Sequence, residues 1–337
     1  MQKNKKSKLL VGIAMGDPCG IGPEIILKSL NASSIKKLAH YIIIGNQGVL
    51  DLTARELDLP VSYQMISHLP DKDTKYPNSL LSIGDIHPGL MKQKRATAEG
   101  GDLSVQCVIR GINLAMSSHI DALVTAPICK EAIHLGGYGY PGHTEMLQIF
   151  SGVKRVVMLM VGGRLRVAFA TTHIALKEVP QSITVENTLG TITITDNHLK
   201  QYFGIKKPRI AVCGLNPHAG EEGIFGDEER KVIIPAIEKA KKKGIECDGP
   251  VSADTVYNKA VRGAYDVVVA MYHDQGAIPL KFHAFETGVN ITLGIPFVRT
   301  SPDHGTAYDI AGKGIANPHS MMEAIKMAVK MSKCNRG

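Results

Sequence analysis

Short apolar runs alternate with amphipathic stretches along the whole chain. The runs rich in β-branched residues predict strands at Leu9–Met15, Tyr41–Gly45, Ala122–Thr125, Val156–Val161, Arg166–Ala170, Arg209–Cys213, Asp266–Ala270 and Asn290–Leu293. Helical patterns predict helices at Pro23–Leu30, Asp102–Ser117, Val185–Phe203, Asp227–Lys243, Asp254–Arg262 and Ser320–Met331. This alternation, with several strands apolar on both faces, predicts an α/β fold with mostly parallel sheets.

The size and composition narrow the class of protein. The chain has 337 residues, 44% of them apolar, which excludes a disordered protein and predicts two domains or one large α/β unit. The longest strongly apolar stretch, Val156 to Gly163, is far shorter than the roughly 18 residues of a membrane span, so we expect no membrane partner. The run Leu9–Ala14 after several lysines resembles a secretion signal, but it leads into a Gly-rich turn and we interpret it as a strand. The six cysteines form no C-x-x-C pair, which predicts reduced thiols and a cytoplasmic protein.

The charge balance is basic, with 39 Lys and Arg against 31 acids and a formal net charge of +8. That excess suits an anionic ligand or a nucleic acid. Aromatic residues make up only 5% and Trp is absent, so a stacking surface for single strands is not expected. We therefore predict no nucleic-acid partner.

Three histidines follow three predicted strands. His173 comes after Arg166–Ala170, His218 after Arg209–Cys213, and His273 after Asp266–Ala270. Ligands bind beyond the carboxyl ends of strands in open α/β sheets, and three imidazoles would leave an open position on a metal ion. A loop histidine is often only a surface residue, and the chain has no H-E-x-x-H motif, so both interpretations stay open here.

Two Gly-rich segments lie near the two ends of the chain. Met15–Glu24 joins a strand to a helix, and its glycines would let backbone N–H groups approach an anion, although a simple tight turn is the alternative. His304–Pro318 precedes the last helix, and a loop of this length and glycine content is typical of a functional segment. Neither segment is a P-loop.

Two further groups of residues suit a phosphate or a carboxylate. Gly142–Glu145 offers small donors at a predicted helix start, and Lys281, Asn290 and Arg299 follow His273 within one stretch of chain. Taken singly, each of these charges could instead be a solvated surface group.

The two Gly-rich segments resemble the isocitrate and isopropylmalate dehydrogenase superfamily: Gly20–Glu24 is similar to its N-terminal turn, and His304–Pro318 is similar to its cofactor-binding loop. Within that superfamily, a set of ordered motifs resembles the 4-hydroxythreonine-4-phosphate dehydrogenase family. These motifs are Gly142–Glu145, Asn216–Glu221, Tyr272–Gly276, Gly288–Asn290, Arg299–Ser301 and Asp303–Ala307. Ala126–Glu131 and Tyr140–Pro141 are more similar to a sister group, the 4-phospho-D-threonate and 4-phospho-D-erythronate dehydrogenases. The sister group would share the chemistry and differ in substrate stereochemistry.

The resemblance implies two α/β/α domains with the active site in the cleft between them. A discontinuous terminal domain would comprise residues 1–140 and 304–337 and carry the cofactor loop. The middle domain, residues 141–303, would carry the histidines and much of a homodimer interface. One of the metal ligands would cross that interface, so the active site would be shared between subunits.

The resemblance also implies roles for single residues. His173, His218 and His273 would hold one divalent metal (Zn, Mg, Co or Mn), and NAD, or else NADP, would accept the hydride. The residues implied in substrate binding are His143, Thr144, Lys281, Asn290 and Arg299. Those implied in cofactor binding are Gly20, Gly22, His304, Gly305, Asp309, Ile310 and Asn317. The candidates for the catalytic base are Asp254, Asp274 and Lys281, with a helix N-cap as the alternative role of Asp254.

The implied substrate is a phosphorylated small molecule, 4-phosphooxy-L-threonine, whose C3 hydroxyl is oxidised to give a β-keto acid. That β-keto acid would lose CO2 and give 3-amino-2-oxopropyl phosphate for pyridoxal phosphate biosynthesis. The sister substrates would give dihydroxyacetone phosphate in sugar-acid catabolism instead. Two other classes remain: a metal-dependent phosphatase or other hydrolase on the same histidines, and a non-catalytic protein that binds a phosphorylated acid or a nucleic acid. The Gly-rich loop argues against the phosphatase, which needs no dinucleotide.

Overall fold

The computed structural model describes residues 8–61, 63–67, 78–87 and 89–336. The chain forms two compact units. The terminal unit contains the residues up to Lys154 and from Ile295 onward, and the middle unit spans Arg155–Gly294. The unit borders therefore differ from the expected domain borders after residues 140 and 303. As a result His143 and Arg299 both belong to the terminal unit.

The terminal unit has a parallel sheet with the strand order β3-β4-β2-β1-β5-β12. Helix α4 packs against β1, β2 and β5, and helix α12 packs against β5 and β12. Its strands are β1 Leu10–Ala14, β2 His40–Gly45, β3 Gln64–Met65, β4 Asn78–Ser82, β5 Ala122–Thr125 and β12 Val298–Pro302. Its helices are α1 Gly22–Asn31, α2 Ser33–Lys36, α3 Gln47–Glu56, α4 Ala98–Met116, α5 Lys130–Leu135, α6 His143–Ser151 and α12 His319–Asn335.

The middle unit has a mixed sheet with the order β11-β6-β7-β10-β8-β9. Strand β6 runs antiparallel to β7 and β11, whereas β7, β10, β8 and β9 pair in parallel. The strands are β6 Val157–Gly162, β7 Leu165–Phe169, β8 Ile210–Cys213, β9 Cys247–Val251, β10 Val267–Ala270 and β11 Val289–Leu293. The helices are α7 Val179–Ser182, α8 Val185–Phe203, α9 Ile234–Lys242, α10 Ala253–Val261 and α11 His273–Ala284.

The predicted α/β class is confirmed, and each predicted strand has a counterpart within one or two residues at either end. Buried apolar runs explain this agreement, because all five residues of β1 and all six of β6 are buried. Cap signals fix several helix ends: the Thr184 side chain accepts the N–H of Asn187 at the start of α8, and Gly204 ends that helix with φ of 69°. Among the described residues, no helix has the length and apolarity that a membrane crossing requires.

Some predicted details are wrong. The helix predicted over Asp227–Lys243 is a π-helical turn, Glu229–Ile233, followed by α9. His273 is the first residue of α11 rather than part of a loop. Ser252, not Asp254, occupies the N-cap position of α10, and Asp254 lies in the first helical turn.

Candidate active site

His173 and His273 lie close together at one end of the middle-unit sheet. Their ring centroids are 5.7 Å apart, and the His273 ring also stacks on Phe169 at the end of β7. Nδ1 of His273 is 2.7 Å from Oδ1 of Asp274. A carboxylate on Nδ1 fixes the tautomer and leaves Nε2 for a ligand, as in many metal-binding histidines.

His218 lies in a strained segment beyond β8. His218 to Glu222 all have positive φ, between 42° and 83°, in a single left-handed turn. The left-handed helical conformation costs about 1–2 kcal/mol for each non-Gly residue, and such strain is concentrated at functional sites. The His218 ring contacts Phe225, with the centroids 6.3 Å apart.

The three histidines do not form a complete metal site within the described part of one chain. No group of three or more His, Cys, Asp or Glu residues among those described is placed to hold a metal ion. The donor chemistry nevertheless fits, because the His173 and His273 imidazoles are near enough to share one ion and Asp274 orients the second. Three imidazoles suit zinc or cobalt better than magnesium.

His143 and the buried cation Arg299 lie close to each other in the terminal unit. Arg299 is only 2% exposed within β12, and its Nη2 donates to Oγ1 of Thr125 at 2.6 Å. Burial lowers the pKa of Arg299 to about 9, so the guanidinium stays charged at neutral pH. Burial and the charge of Arg299 hold the pKa of His143 well below its usual range, so this imidazole is neutral.

His143 also has a buried polar atom. Its Nε2 is buried and has no hydrogen-bond partner among the described residues. His143 begins helix α6, and the half-buried Thr144 follows it in the first turn, where backbone N–H groups point outward. A neutral donor, a helix start and a buried cation suit a phosphate or carboxylate oxygen.

Helix α11 carries a second group of candidate residues. His273 and Lys281 line one surface cavity of about 590 Å³, together with the apolar Ile278, Phe282 and Phe285. Phe282 is 95% exposed, so this apolar face has no cover within the described part of the chain. An exposed apolar patch of this kind is typical of a contact between proteins.

The other proposed substrate and base residues of the middle unit differ in their surroundings. Asn290 is half-buried in β11. Asp274 is 71% exposed and bonded to His273, and the exposed Asp254 accepts a 2.6 Å hydrogen bond from Oγ of Ser252. Of the three candidate bases, Asp274 and Lys281 line the same cavity as His273.

The two Gly-rich segments meet in the terminal unit. Ile21 donates its N–H to Thr306 O at 2.9 Å, and a Cβ on Gly20 would lie 2.7 Å from the same oxygen. A Cβ on Gly22 would lie 2.5 Å from Met15 O. In the structure these glycines allow chain segments to pack closely.

A buried acid fastens the end of the second segment. Glu24, in the first turn of α1, accepts the N–H of Ala316 at 2.9 Å and binds Lys28 at 2.6 Å. Lys28 Nζ donates in turn to the carbonyls of Gly314 and Ala316, at 2.8 and 2.9 Å. The loop that was expected to bind the cofactor is therefore fixed to the N-terminal turn.

A second bond between the two segments joins Tyr308 to Asp17. The Tyr308 hydroxyl donates to Oδ2 of Asp17 at 2.6 Å, and Asp17 is completely buried. Burial raises the pKa of Asp17, although the bonds from Tyr308 and from the Cys19 N–H oppose that shift. A cavity of about 290 Å³ beside this contact is lined by Gly20, Gly312 and Lys94 among others.

The remaining cofactor candidates lie along the loop. Asp309 and Gly305 are exposed and Ile310 is half-buried. Asn317 Oδ1 accepts the N–H of His319 at the start of α12, which is a capping role. Nε2 of His304 is a buried polar atom without a hydrogen-bond partner among the residues described, as expected of a group that faces a ligand.

Sequence reasoning missed the buried acids. Asp17, Glu24 and Glu229 each bind backbone or side-chain donors in the described structure. Glu229 stands in the charged run Asp227–Arg230, which is typical of a solvated helix face, so its pattern gives no signal of burial.

Comparison with known proteins agrees with this arrangement. The family model "Pyridoxal phosphate biosynthetic protein PdxA" matches residues 37–328. A 4-hydroxythreonine-4-phosphate dehydrogenase from Geobacter metallireducens is 44% identical over 333 residues, which is 98% of this chain and 97% of the relative. A D-threonate 4-phosphate dehydrogenase from Salmonella typhimurium is 43% identical over 326 residues, 96% of this chain and 98% of the relative. The crystal structure of a 4-hydroxythreonine-4-phosphate dehydrogenase from Klebsiella pneumoniae superposes with a TM-score of 0.88 at 39% identity, covering 98% of this chain and 99% of that one.

Proposed function

Given that the chain belongs to the PdxA family and is therefore a dehydrogenase, we propose that it oxidises the C3 hydroxyl of a 4-phosphorylated C4 hydroxy acid. The first candidate substrate is 4-phosphooxy-L-threonine, as the name of the Geobacter relative suggests. The second is 4-phospho-D-threonate, supported by the Salmonella relative and by the motif Ala126–Glu131. 4-Phospho-D-erythronate is a third substrate of the same class.

The proposed reaction has two steps, an oxidation and a decarboxylation. The C3 alcohol gives its hydride to the nicotinamide of NAD and its proton to a base, which leaves a ketone. The resulting β-keto acid then breaks its C–C bond to release CO2, and the enolate takes up a proton. From 4-phosphooxy-L-threonine the product is 3-amino-2-oxopropyl phosphate, and from the sister substrates it is dihydroxyacetone phosphate.

The pair of Arg299 and His143 carries the proposal. A guanidinium binds a phosphate or carboxylate through two parallel hydrogen bonds, and the neutral imidazole beside the buried Arg299 donates without adding charge. Arg299, His143 and Thr144 would bind the substrate phosphate, with Lys281 and Asn290 as further substrate-binding residues. A fixed pocket of this kind orients the C3 hydroxyl for transfer.

His173, His218 and His273 would hold one divalent metal. When bound, that metal supplies a Lewis acid that polarises the substrate oxygens and favours loss of the hydroxyl proton. Asp274 would keep the His273 ring in the orientation that exposes Nε2. Lys281 is the base that we favour, because it lines the same cavity as His273, whereas Asp274, which also lines it, is bonded to the His273 ring.

The fixed loop 304–317 would bind the cofactor. Gly20 and Gly22 let the loop pack close to the N-terminal turn, the polar Nε2 of His304 faces a ligand, and Asp309 offers an acceptor for a ribose hydroxyl. A carboxylate there repels a 2′-phosphate, which favours NAD over NADP.

We propose a homodimer whose active sites are shared between its two chains. Two observations support a second copy as the occupant of the apolar α11 face: its exposed Phe282 and Phe285 adjoin the cavity that His273 lines, and one chain does not complete the metal site among its described residues. We also propose that the enzyme works in the cytoplasm, where its free cysteines stay reduced.

A substrate panel tests the activity. Purified protein is given each 4-phosphorylated acid with NAD, and NADH is followed by absorbance with and without a chelator. We expect metal-dependent NADH formation, and the preferred stereoisomer identifies the pathway. Phosphate release without NADH would instead establish the phosphatase.

A mixing experiment tests the shared site. The variants His218→Ala and His273→Ala are each expected to be inactive. If His218 and His273 reach one site from different chains, a dimer of one His218→Ala chain and one His273→Ala chain has one site with both variants and one site with both native histidines. Such a mixed dimer should recover up to half of the activity of the unmodified dimer. No recovery in verified mixed dimers would contradict the shared site.

A further inference from the structure

The strained segment that carries His218 is held by one buried side chain. Glu229 is 2% exposed and lies at the first position of the π-helical turn Glu229–Ile233. Its Oε1 accepts the N–H groups of Leu215 and Asn216, at 2.7 and 2.8 Å. Its Oε2 accepts Nδ2 of Asn216 at 3.0 Å. The carboxylate therefore fixes the two residues that lead into the left-handed turn.

The same carboxylate also supports the turn from within. A Cβ on Gly220, in the middle of the left-handed residues, would lie 2.6 Å from Oε2 of Glu229. A Cβ on Gly214, directly after β8, would lie 3.1 Å from Oε1. The carboxylate thus packs against the backbone both before His218 and after it.

We propose that Glu229 is a positioning residue for His218: its buried carboxylate fixes the left-handed turn that places the imidazole at the metal. This inference rests on the proposed function, in which His218 is a metal ligand. Glu229 itself is not a ligand here, because both of its oxygens already accept hydrogen bonds from the segment. A conformation that L-residues avoid persists only where its surroundings determine it, and Glu229 is the buried side chain that does so from within the turn.

Two variants disturb the contact between Glu229 and the left-handed turn, one by changing Glu229 and the other by changing the turn. Glu229→Gln keeps the shape of the side chain but replaces an acceptor with a donor opposite Asn216. Gly220→Ala leaves Glu229 in place and pushes a methyl group against its carboxylate. The matched control is Gly244→Ala, because Gly244 has a similar φ of 78° but nothing within 4 Å of the added Cβ. Both alanine variants introduce the same backbone strain, and only one disturbs Glu229.

The measurement is Co²⁺ binding to the full-length protein. Calorimetry gives the affinity, the visible spectrum of bound Co²⁺ reports its coordination, and thermal unfolding is followed with and without Co²⁺. We expect Glu229→Gln and Gly220→Ala to lose at least tenfold in affinity, about 1.4 kcal/mol, with an altered spectrum. The control Gly244→Ala should keep both the Co²⁺ affinity and the spectrum of the unmodified protein. The double variant with His218→Ala and Glu229→Gln should bind Co²⁺ no more weakly than His218→Ala alone. A purely structural role would lower the melting temperature without changing the spectrum.

The outcomes separate this inference from the proposed function. If His218→Ala weakens Co²⁺ binding while Glu229→Gln and Gly220→Ala bind like the unmodified protein, the positioning role is wrong and the metal site stands. If His218→Ala itself binds Co²⁺ normally, the metal assignment is wrong. If Glu229→Gln does not fold, as judged by circular dichroism, Gly220→Ala and its control decide the question.

Discussion

Removing the hydroxyl of Tyr308 tests how the Gly-rich loop is held to the N-terminal turn. Tyr308→Phe deletes the 2.6 Å bond to the fully buried Asp17 and leaves the ring in place. A hydrogen bond to a charged group contributes about 1.5–3 kcal/mol to the free energy of unfolding. Since 1 kcal/mol shifts the melting temperature of a domain of 150–250 residues by about 2–4 °C, we expect a decrease of roughly 3–12 °C.

The loss of stability should depend on pH. The bond from Tyr308 lowers the pKa of Asp17, which burial has raised above 3.8, so its removal raises that pKa further. A carboxyl whose pKa is higher in the folded than in the unfolded state destabilises the protein at high pH, and this effect vanishes as the pH falls below the unfolded value. The difference between the two proteins is therefore largest at neutral pH and shrinks as the pH falls through the folded pKa of Asp17 toward 3.8.

The assay combines denaturant unfolding across the acid to neutral range with calorimetric titration of NAD. A looser loop must be ordered when the cofactor binds, so we expect NAD affinity to fall by roughly fivefold, about 1 kcal/mol. Tyr138→Phe is the control, because it removes a 2.5 Å bond to Asp102 at a site away from the loop. Unchanged stability of Tyr308→Phe at neutral pH, or an equal loss at every pH, would refute the reasoning.

Three other substitutions test the remaining residues. Arg299→Ala should lower kcat/KM for the phosphorylated substrate by at least tenfold, about 1.4 kcal/mol, and affect a dephosphorylated analogue far less; equal losses would remove Arg299 from the phosphate pocket. His218→Ala should abolish turnover while circular dichroism stays unchanged, and normal activity of the unmodified enzyme after exhaustive chelation would contradict a metal role. The unmodified enzyme should prefer NAD over NADP by at least tenfold in kcat/KM, again about 1.4 kcal/mol, and Asp309→Lys should narrow or reverse that ratio; an unchanged ratio would show that Asp309 does not meet the ribose.

The sequence predicts the strands with continuous apolar runs and misses those without them. Strand β12, Val298–Pro302, is completely buried yet contains Arg299, Thr300 and Ser301, so its composition resembles a loop. Helix α11 contains Gly276 and Pro279, which both disfavour a helix, and packing against β6 and β7 outweighs them. Tertiary contacts that bury these residues stabilise both elements, and such contacts are not visible in the local pattern of apolar and polar residues.

The candidate site is predictable to a similar extent. The positions of His173 and His273 after strands correctly place them at one end of the middle-unit sheet, because the carboxyl ends of parallel strands meet there. The strand pattern gives no sign of the left-handed turn after β8 that carries His218. The burial of Arg299 and Glu229 depends on residues far away in sequence, such as Thr125, and no spacing rule encodes it.

The discontinuous terminal unit has a consequence for the order in which a ribosome makes the protein. The middle unit is one continuous stretch, so all of it is translated before β12 and the loop 304–318 exist. Until then the edge of β5 that later pairs with β12 lacks its partner, and an open strand edge invites pairing with other chains. Lys28 and Glu24 likewise lack some of their hydrogen-bond partners until residues 314–316 are translated. Lys28 then donates to the carbonyls of Gly314 and Ala316, and Glu24 accepts the N–H of Ala316. The nascent chain thus completes the unit that carries His173, His218 and His273 first, and the terminal unit is completed only when residues 295–336 follow.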